Sequence, residues 1–270
     1  MNRREALGLL GVGLASRRLA AQTDAIEFAA LDHIEFYVSN GEKSRDFFVR
    51  IFGNTLKMRG AKRYLKLGST YMVFEPPRAN AAAGRVDHFS TAIKKLDMSK
   101  LRMFLEQRGV AYQDYPSGRD TGVNDPDAIR IQLSPEDGWS VLNPATFPTE
   151  TVALNEEPIF RPTGLDHILL HVSDPEKSVA HYRKFLGQPM PGNNGRIWFQ
   201  VGPSRIGLLR TPVGEASGVD HFCVSAATFN YDDAVRKLRQ IGAKVENPEV
   251  AGAPQFRDPD GLLIQVMGPR

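Results

Sequence analysis

Over residues 31–38 polar and apolar positions alternate with period two, placing Asp32, Ile34, Phe36 and Val38 on one side and Leu31, His33, Glu35 and Tyr37 on the other. That is the pattern of a strand with one buried face. From about Glu42 the period changes. Phe48, Ile51 and Phe52 fall at helical spacing, and Gly53 follows where a helix end favours a residue that tolerates positive φ. Three short strand patterns come next, at 55–59, 63–67 and 70–75, separated by Gly60 and Gly68. The predicted unit is βαβββ.

The same unit is written four times. Its marker is an Asp-His pair between two apolar residues: Leu31-Asp32-His33-Ile34, Val86-Asp87-His88-Phe89, Leu165-Asp166-His167-Ile168 and Val219-Asp220-His221-Phe222. The flanks alternate, so two kinds of unit follow one another as A-B-A-B, and four of the six histidines share one structural slot. His167 lies 134 positions after His33 (167 − 33), and Gly187 keeps that offset from Gly53. In the B units the Asp-Pro-Asp turn at 125–127 recurs at 258–260. A fixed period of this kind sets the architecture before any single residue is interpreted. The predicted helices carry Tyr182, Phe185 and Leu186 in the third unit, Leu101, Phe104 and Leu105 in the second, and Ala234, Leu238 and Ile241 in the fourth. The fold expected is α+β, with four βαβββ modules forming two curved mixed-sheet domains at 31–133 and 164–267. The segment 134–163 reads as a linker, with five prolines from Ser134 through Pro162, long enough to cover a cleft.

Composition changes this picture little. At 270 residues the chain can bury two cores, and its net charge of +3 with no long basic run argues against nucleic acid as a partner. Cys223 is the only cysteine, which excludes an intrachain disulfide and a cluster held by several thiolates. The first 21 residues differ from the rest. Arg3-Arg4, a short apolar stretch diluted by Gly8, Gly11 and Gly13, and small residues at Ala20-Ala21 are similar to a twin-arginine signal peptide. Export to the periplasm or the cell exterior is therefore expected, with no membrane span in the mature protein.

The repeated modules and their histidines resemble the vicinal oxygen chelate superfamily, which includes glyoxalase I, bleomycin-resistance proteins and extradiol dioxygenases. The resemblance runs from Leu31 to Met267 and implies paired modules curved around a cleft, with metal ligands on the first and last strands. It implies a divalent metal (Fe, Mn, Ni or Zn) held in the first cleft by His33, Glu75 and His88, with Gln132 where a Glu is more usual. Glu35 and Tyr37, beside His33 by alternation, are the candidates for proton transfer. In the second cleft Arg210 is placed opposite Glu75 by matching Arg210-Thr211-Pro212 to Glu75-Pro76-Pro77. A guanidinium there opposes a cation, so His167, Arg210, His221 and Gln265 are expected to line a pocket without metal. The four aspartates are expected to point away from the histidine face, and Trp139, Trp198, Phe147 and Phe160 to pack in the core.

Two functions are open at this point. One is an exported enzyme in which a metal polarises an oxygen of a small organic substrate, of isomerase, lyase or dioxygenase type, with the protein a monomer or homodimer. The other is a metal-free protein that binds or sequesters a small molecule, with Arg210 or Arg130 meeting an anionic group.

Overall fold

The structure is a computed structural model that describes residues 26–78 and 81–269; the expected signal peptide lies outside the described residues. The first unit is β1 (Phe28–Tyr37), α1 (Gly41–Phe52), β2 (Leu56–Arg59), β3 (Lys62–Leu67) and β4 (Thr70–Glu75). The second is β5 (Arg85–Ile93), α2 (Met98–Gln107), β6 (Gln113–Asp114), β7 (Thr121–Asn124) and β8 (Arg130–Pro135). After a connecting strand β9 (Thr149–Glu150), the third unit runs β10 (Pro162–Val172), α3 (Pro175–Leu186), β11 (Met190–Pro191), β12 (Ile197–Val201) and β13 (Ser204–Arg210). The fourth is β14 (Gly218–Ala226), α4 (Tyr231–Gln240), β15 (Lys244–Glu246), β16 (Gln255–Arg257) and β17 (Leu263–Met267). The fold is α+β, with one mixed sheet in each half. The first is ordered β6-β7-β8-β5-β1-β4-β3-β2-β9 and the second β11-β12-β13-β10-β14-β17-β16-β15.

Each helix begins where a short polar side chain takes up the free N–H groups of its first turn. Asn40, Asp97, Asp174 and Asn230 do this for α1 to α4 in order. Gly53 and Gly187 close α1 and α3 at φ 98° and 90°. The buried faces of the helices and of both sheets merge into one apolar core, in which Phe36 of the first half stacks on Phe222 of the second at 6.1 Å.

The halves grip each other reciprocally. Ser39 N donates to Asp260 Oδ2 and Ser173 N to Asp127 Oδ2, both at 3.0 Å, so each β-α junction is held by the Asp-Pro-Asp turn of the other half. Two hairpin turns repeat the arrangement. Gly68, at φ 64°, lies so close to Thr163 that a Cβ would sit 2.2 Å from its carbonyl carbon, and Gly202, at φ 56°, would meet Ala29 O at 1.9 Å. Only glycine fits both the left-handed backbone and the space.

The connection is less irregular than its prolines suggest. It forms a 3-10 turn at Gly138–Val141 and adds β9 to the edge of β2. Trp139, Leu142 and Phe147 pack with Tyr64, Tyr71 and Val73 as a separate apolar cluster. Of the four aromatics expected in the core, Phe160 is there, whereas Trp139 and Phe147 belong to this cleft-side cluster and Trp198 to the second cleft. Among the described residues no helix is long and apolar enough to cross a membrane.

Candidate metal centre

The Asp-His pairs occupy β-bulges. Along the β1–β5 ladder Leu31 pairs with Thr91 and His33 with Ser90, leaving Asp32 as an extra residue; Glu35 pairs with His88 and Phe36 with Val86, leaving Asp87 extra. The β10–β14 ladder repeats this at Asp166 and Asp220. A bulge puts two residues against one and interrupts the alternation of faces. The core face accordingly passes from Leu31 to Ile34, and from Leu165 to Ile168, across a gap of three, so Asp and His emerge on the same side. The strict alternation expected for residues 31–38 therefore fails at its start: Leu31 is in the core, and the aspartates do not point away from the histidines.

Each aspartate orients its neighbour. His33 Nδ1 donates to Asp32 at 2.6 Å, His88 Nδ1 to Asp87 at 2.8 Å, and His167 and His221 to Asp166 and Asp220 at 2.6 Å each. With Nδ1 committed to a carboxylate, a neutral imidazole presents its lone pair at Nε2. In both halves these atoms face each other, His33 to His88 at 3.2 Å and His167 to His221 at 3.2 Å. Two bare lone pairs at that distance repel unless a proton or cation lies between them. Nitrogens sharing one ion at roughly 2.0–2.2 Å stand about 2.8–3.6 Å apart in octahedral or tetrahedral geometry.

The first pair opens onto a cleft of ≈ 450 Å³ that also contains Glu35, Gln132, Arg130 and, from the connection, Leu142 and Phe147. His33 stacks on Tyr71 at 4.8 Å. Burial pushes the His88 imidazolium down, by more than Asp87 and Glu35 raise it. Asp87 is held by Tyr37 Oη at 2.5 Å and by Arg130, as well as by His88. Burial opposes its charge, yet the hydrogen bonds from His88 and Tyr37 hold Asp87 well below the usual carboxylate range. Tyr37 thus supports Asp87, and its phenol is pushed far up by burial and by that bond. Arg130 pairs with this same aspartate.

Glu75 starts from a different level of the sheet, and its carboxylate joins Glu35, with which it shares Lys62 and Arg78. In the parallel register of β1 and β4, Tyr71 lies opposite His33 and Glu75 opposite Tyr37, four residues and roughly 13 Å further along the strand. Its carboxylate is tied to Arg78 at 2.9 Å and Lys62 at 3.3 Å. The acid directly across from His88 is Glu35. The donor atoms of Glu35, Asp87 and His88 lie within 4.8 Å of one another. Burial works against the Glu35 charge, but His88 and Lys62 hold its pKa below the usual value, and Lys62 Nζ donates to it at 2.6 Å. Gln132 sits one strand over, paired with Ser90.

In the second half the register places Leu209, not Arg210, opposite His171, which is the Tyr37 position. Matching the prolines had shifted the comparison by one residue. Arg210 is exposed and donates to Ser173 O, so it does not shape the second cleft. The cation near His167 is Arg205, which donates to Asp166 at 3.2 Å and lies over Trp198. Trp198 rests against His167 and on Gly207, where a Cβ would come within 2.5 Å of the indole. Burial pushes His167 down to about 4. Leu169 and Leu263 flank His221 in register where the first cleft has Glu35 and Arg130 beside His88.

The sequence reading missed the aspartates, Lys62, Arg78 and Tyr71. The signal for the aspartates was present: apolar residues three apart around every Asp-His cannot belong to an unbroken strand.

Residues 164–266 match the family described as the Glyoxalase/Bleomycin resistance protein/Dioxygenase superfamily. The match covers the second half of the chain. Solved structures extend the fold across both halves. Homoprotocatechuate 2,3-dioxygenase from Brevibacterium fuscum aligns at 16% identity and TM-score 0.68, over 90% of this chain and 81% of its own. The 2,3-dioxygenase LapB from Pseudomonas sp. KL28 aligns at 15% and 0.66, over 91% and 94%. The Mn(II)-bound glyoxalase from Novosphingobium aromaticivorans aligns at 15% and 0.61, over 90% and 83%. At these identities the likeness concerns the fold. No curated protein sequence matches significantly.

Proposed function

We propose that the protein is a metal-dependent enzyme of this superfamily whose first cleft acts on a small oxygenated organic molecule. The observation that carries this reading is the His33–His88 pair, with both Nδ1 atoms tied to carboxylates and both Nε2 atoms facing each other at 3.2 Å beside an open cleft. That donor set fits a divalent ion, which His33 and His88 would hold, with the Gln132 amide oxygen as a neutral third donor. When bound, the metal supplies Lewis acidity toward a substrate oxygen. The chain's own groups do the remainder. Asp32 and Asp87 fix the imidazole tautomers, Glu35 is the ionised carboxylate available to take a proton, and Lys62 and Arg78 balance its charge. Tyr64, Tyr71 and Phe147 give the cleft an aromatic wall. The solved structures it resembles include 2,3-dioxygenases and a Mn(II)-bound glyoxalase, which supports an oxygen-bearing substrate without selecting between those reaction types.

One observation favours the rival reading of a metal-free binding protein: Arg59, Lys62, Arg78 and Arg130 all border the cleft, a setting suited to an anionic ligand. Elemental analysis of untagged protein separates the two. His88→Ala should lose one ion per chain while keeping its far-ultraviolet circular dichroism, and unchanged metal content in that folded variant would select the binding protein. Export by a twin-arginine route also belongs to the proposal, on the strength of Arg3-Arg4 and the short apolar stretch after them. Cell fractionation of an Arg3→Lys, Arg4→Lys variant tests it, since retention in the cytoplasm is expected and unchanged export would refute it.

A further inference from the structure

A second cavity of ≈ 400 Å³ adjoins the first cleft, and Asp87, Tyr115, Pro116 and Arg130 line both spaces. Its wall also takes in Arg85 from the start of β5 and Asn124 from β7. The acids around it are already matched: Asp87 is held by Arg130, His88 and Tyr37, and Asp114 by Arg102 at 2.9 Å. Arg85 is exposed, and among the described residues no carboxylate pairs with it. Tyr115 lies over Gly122, where an added Cβ would come within 3.4 Å of the ring, and Gly122 faces Gln132 across β7 and β8. The Tyr115 hydroxyl is buried without a hydrogen-bond partner, a costly state for a donor that nothing engages. Burial also raises its pKa, so it stays a phenol able to donate.

The second half is an internal control. In register it has Gly218 at the place of Arg85, Leu263 at that of Arg130 and Gln255 at that of Gly122, yet it builds the same strands. The fold therefore requires neither arginine, nor the glycine that makes room for Tyr115.

We propose that this pocket is a carboxylate subsite, in which Arg85 pairs with the anionic end of a ligand and the Tyr115 hydroxyl donates to it, while the rest of the molecule extends into the first cleft. The fork of a guanidinium matches a carboxylate, and one surplus positive charge balances a monoanion rather than a phosphate dianion. Arg85 precedes His88 by three residues on β5, roughly 10 Å along the strand. One ring with an acid group spans that distance. If the first cleft is an enzyme, its substrate is then a small oxygenated carboxylic acid; this extension rests on the proposed function, whereas the subsite itself needs no metal.

The test is isothermal titration of the full chain with 4-hydroxybenzoate, its uncharged amide and inorganic phosphate, with metal content read in the same samples. The acid should bind about tenfold or more tightly than the amide and more tightly than phosphate, and Arg85→Gln should remove that margin while retaining metal. Tyr115→Phe should weaken the acid several-fold. Metal content of zero with Arg85-dependent binding intact keeps the subsite and removes the metal reading alone. Absence of 4-hydroxybenzoate binding, equal affinity for acid and amide, tighter binding of phosphate, or an affinity unchanged in Arg85→Gln but lost in Arg59→Gln overturns the proposal, and an affinity unchanged in Tyr115→Phe overturns the role of that hydroxyl.

Discussion

The reciprocal grip between the halves is satisfied on one side only, and the difference can be measured. In the second half, Tyr182 of α3 donates its hydroxyl to Asp125 Oδ2 at 3.1 Å, while Oδ1 is held by the amides of Asp127 and Ile129. Asp258 repeats the Oδ1 bonds through Asp260 and Leu262, but its Oδ2 is buried without a partner. The residue 134 positions before Tyr182 is Phe48, which is fully buried in α1 and has no hydroxyl to give. Burial raises Asp258 from 3.8 to about 6; it raises Asp125 as well, but there the Tyr182 hydrogen bond works against the rise. A rise of roughly two units corresponds to about 3 kcal/mol at neutral pH. Because the folded pKa is the higher one, this group favours folding most below pH 3.8, and that contribution is lost as pH rises through about 6. Phe48→Tyr supplies the missing donor. A hydrogen bond to a charged carboxylate contributes about 1.5–3 kcal/mol, so after some cost of fitting the oxygen we expect a net gain of about 1–2 kcal/mol at pH 8. That is a rise of roughly 2–4 °C in Tm for a chain of this size. The gain should shrink between pH 7 and pH 5 as Asp258 protonates in the parent. Urea denaturation of both proteins at pH 5 and pH 8 reads this directly. A gain equal at the two values, or a loss of stability at pH 8, would refute the reasoning.

Asp87→Asn should weaken metal binding in the first cleft by roughly 10–100-fold, because the His88 ring loses the carboxylate that fixes its tautomer; competition with a chelator measures it, and an unchanged affinity would show that Asp87 does not orient the ligand. Gly68→Ala should destabilise the protein by more than about 1 kcal/mol, since positive φ and the 2.2 Å approach to Thr163 both forbid a side chain. A melting temperature within error of the parent would mean that the two halves do not meet at this turn.

The sequence by itself determined the repeating unit, its order and the pairing of histidines. Periodicity is a local property, and a fixed offset between identical motifs leaves little freedom in how the units correspond. The helix stripes at Phe48, Ile51 and Phe52, and the strand at Thr70–Glu75, follow from patterns contained within a few turns of chain. What only the tertiary structure decided was side-chain direction and register. A bulge adds one residue to a strand, and that residue turned all four aspartates from bystanders into the groups that aim the histidines. Parallel register is set between strands far apart in sequence. It moved Glu75 away from His33 and brought Glu35 to His88, and it exchanged Arg210 for Leu209 at the corresponding place in the second half. Charge partners such as Lys62 and Arg78 carry no periodic signature at all, because their place beside Glu35 depends on how a hairpin and a loop fold over the cleft rather than on any local spacing.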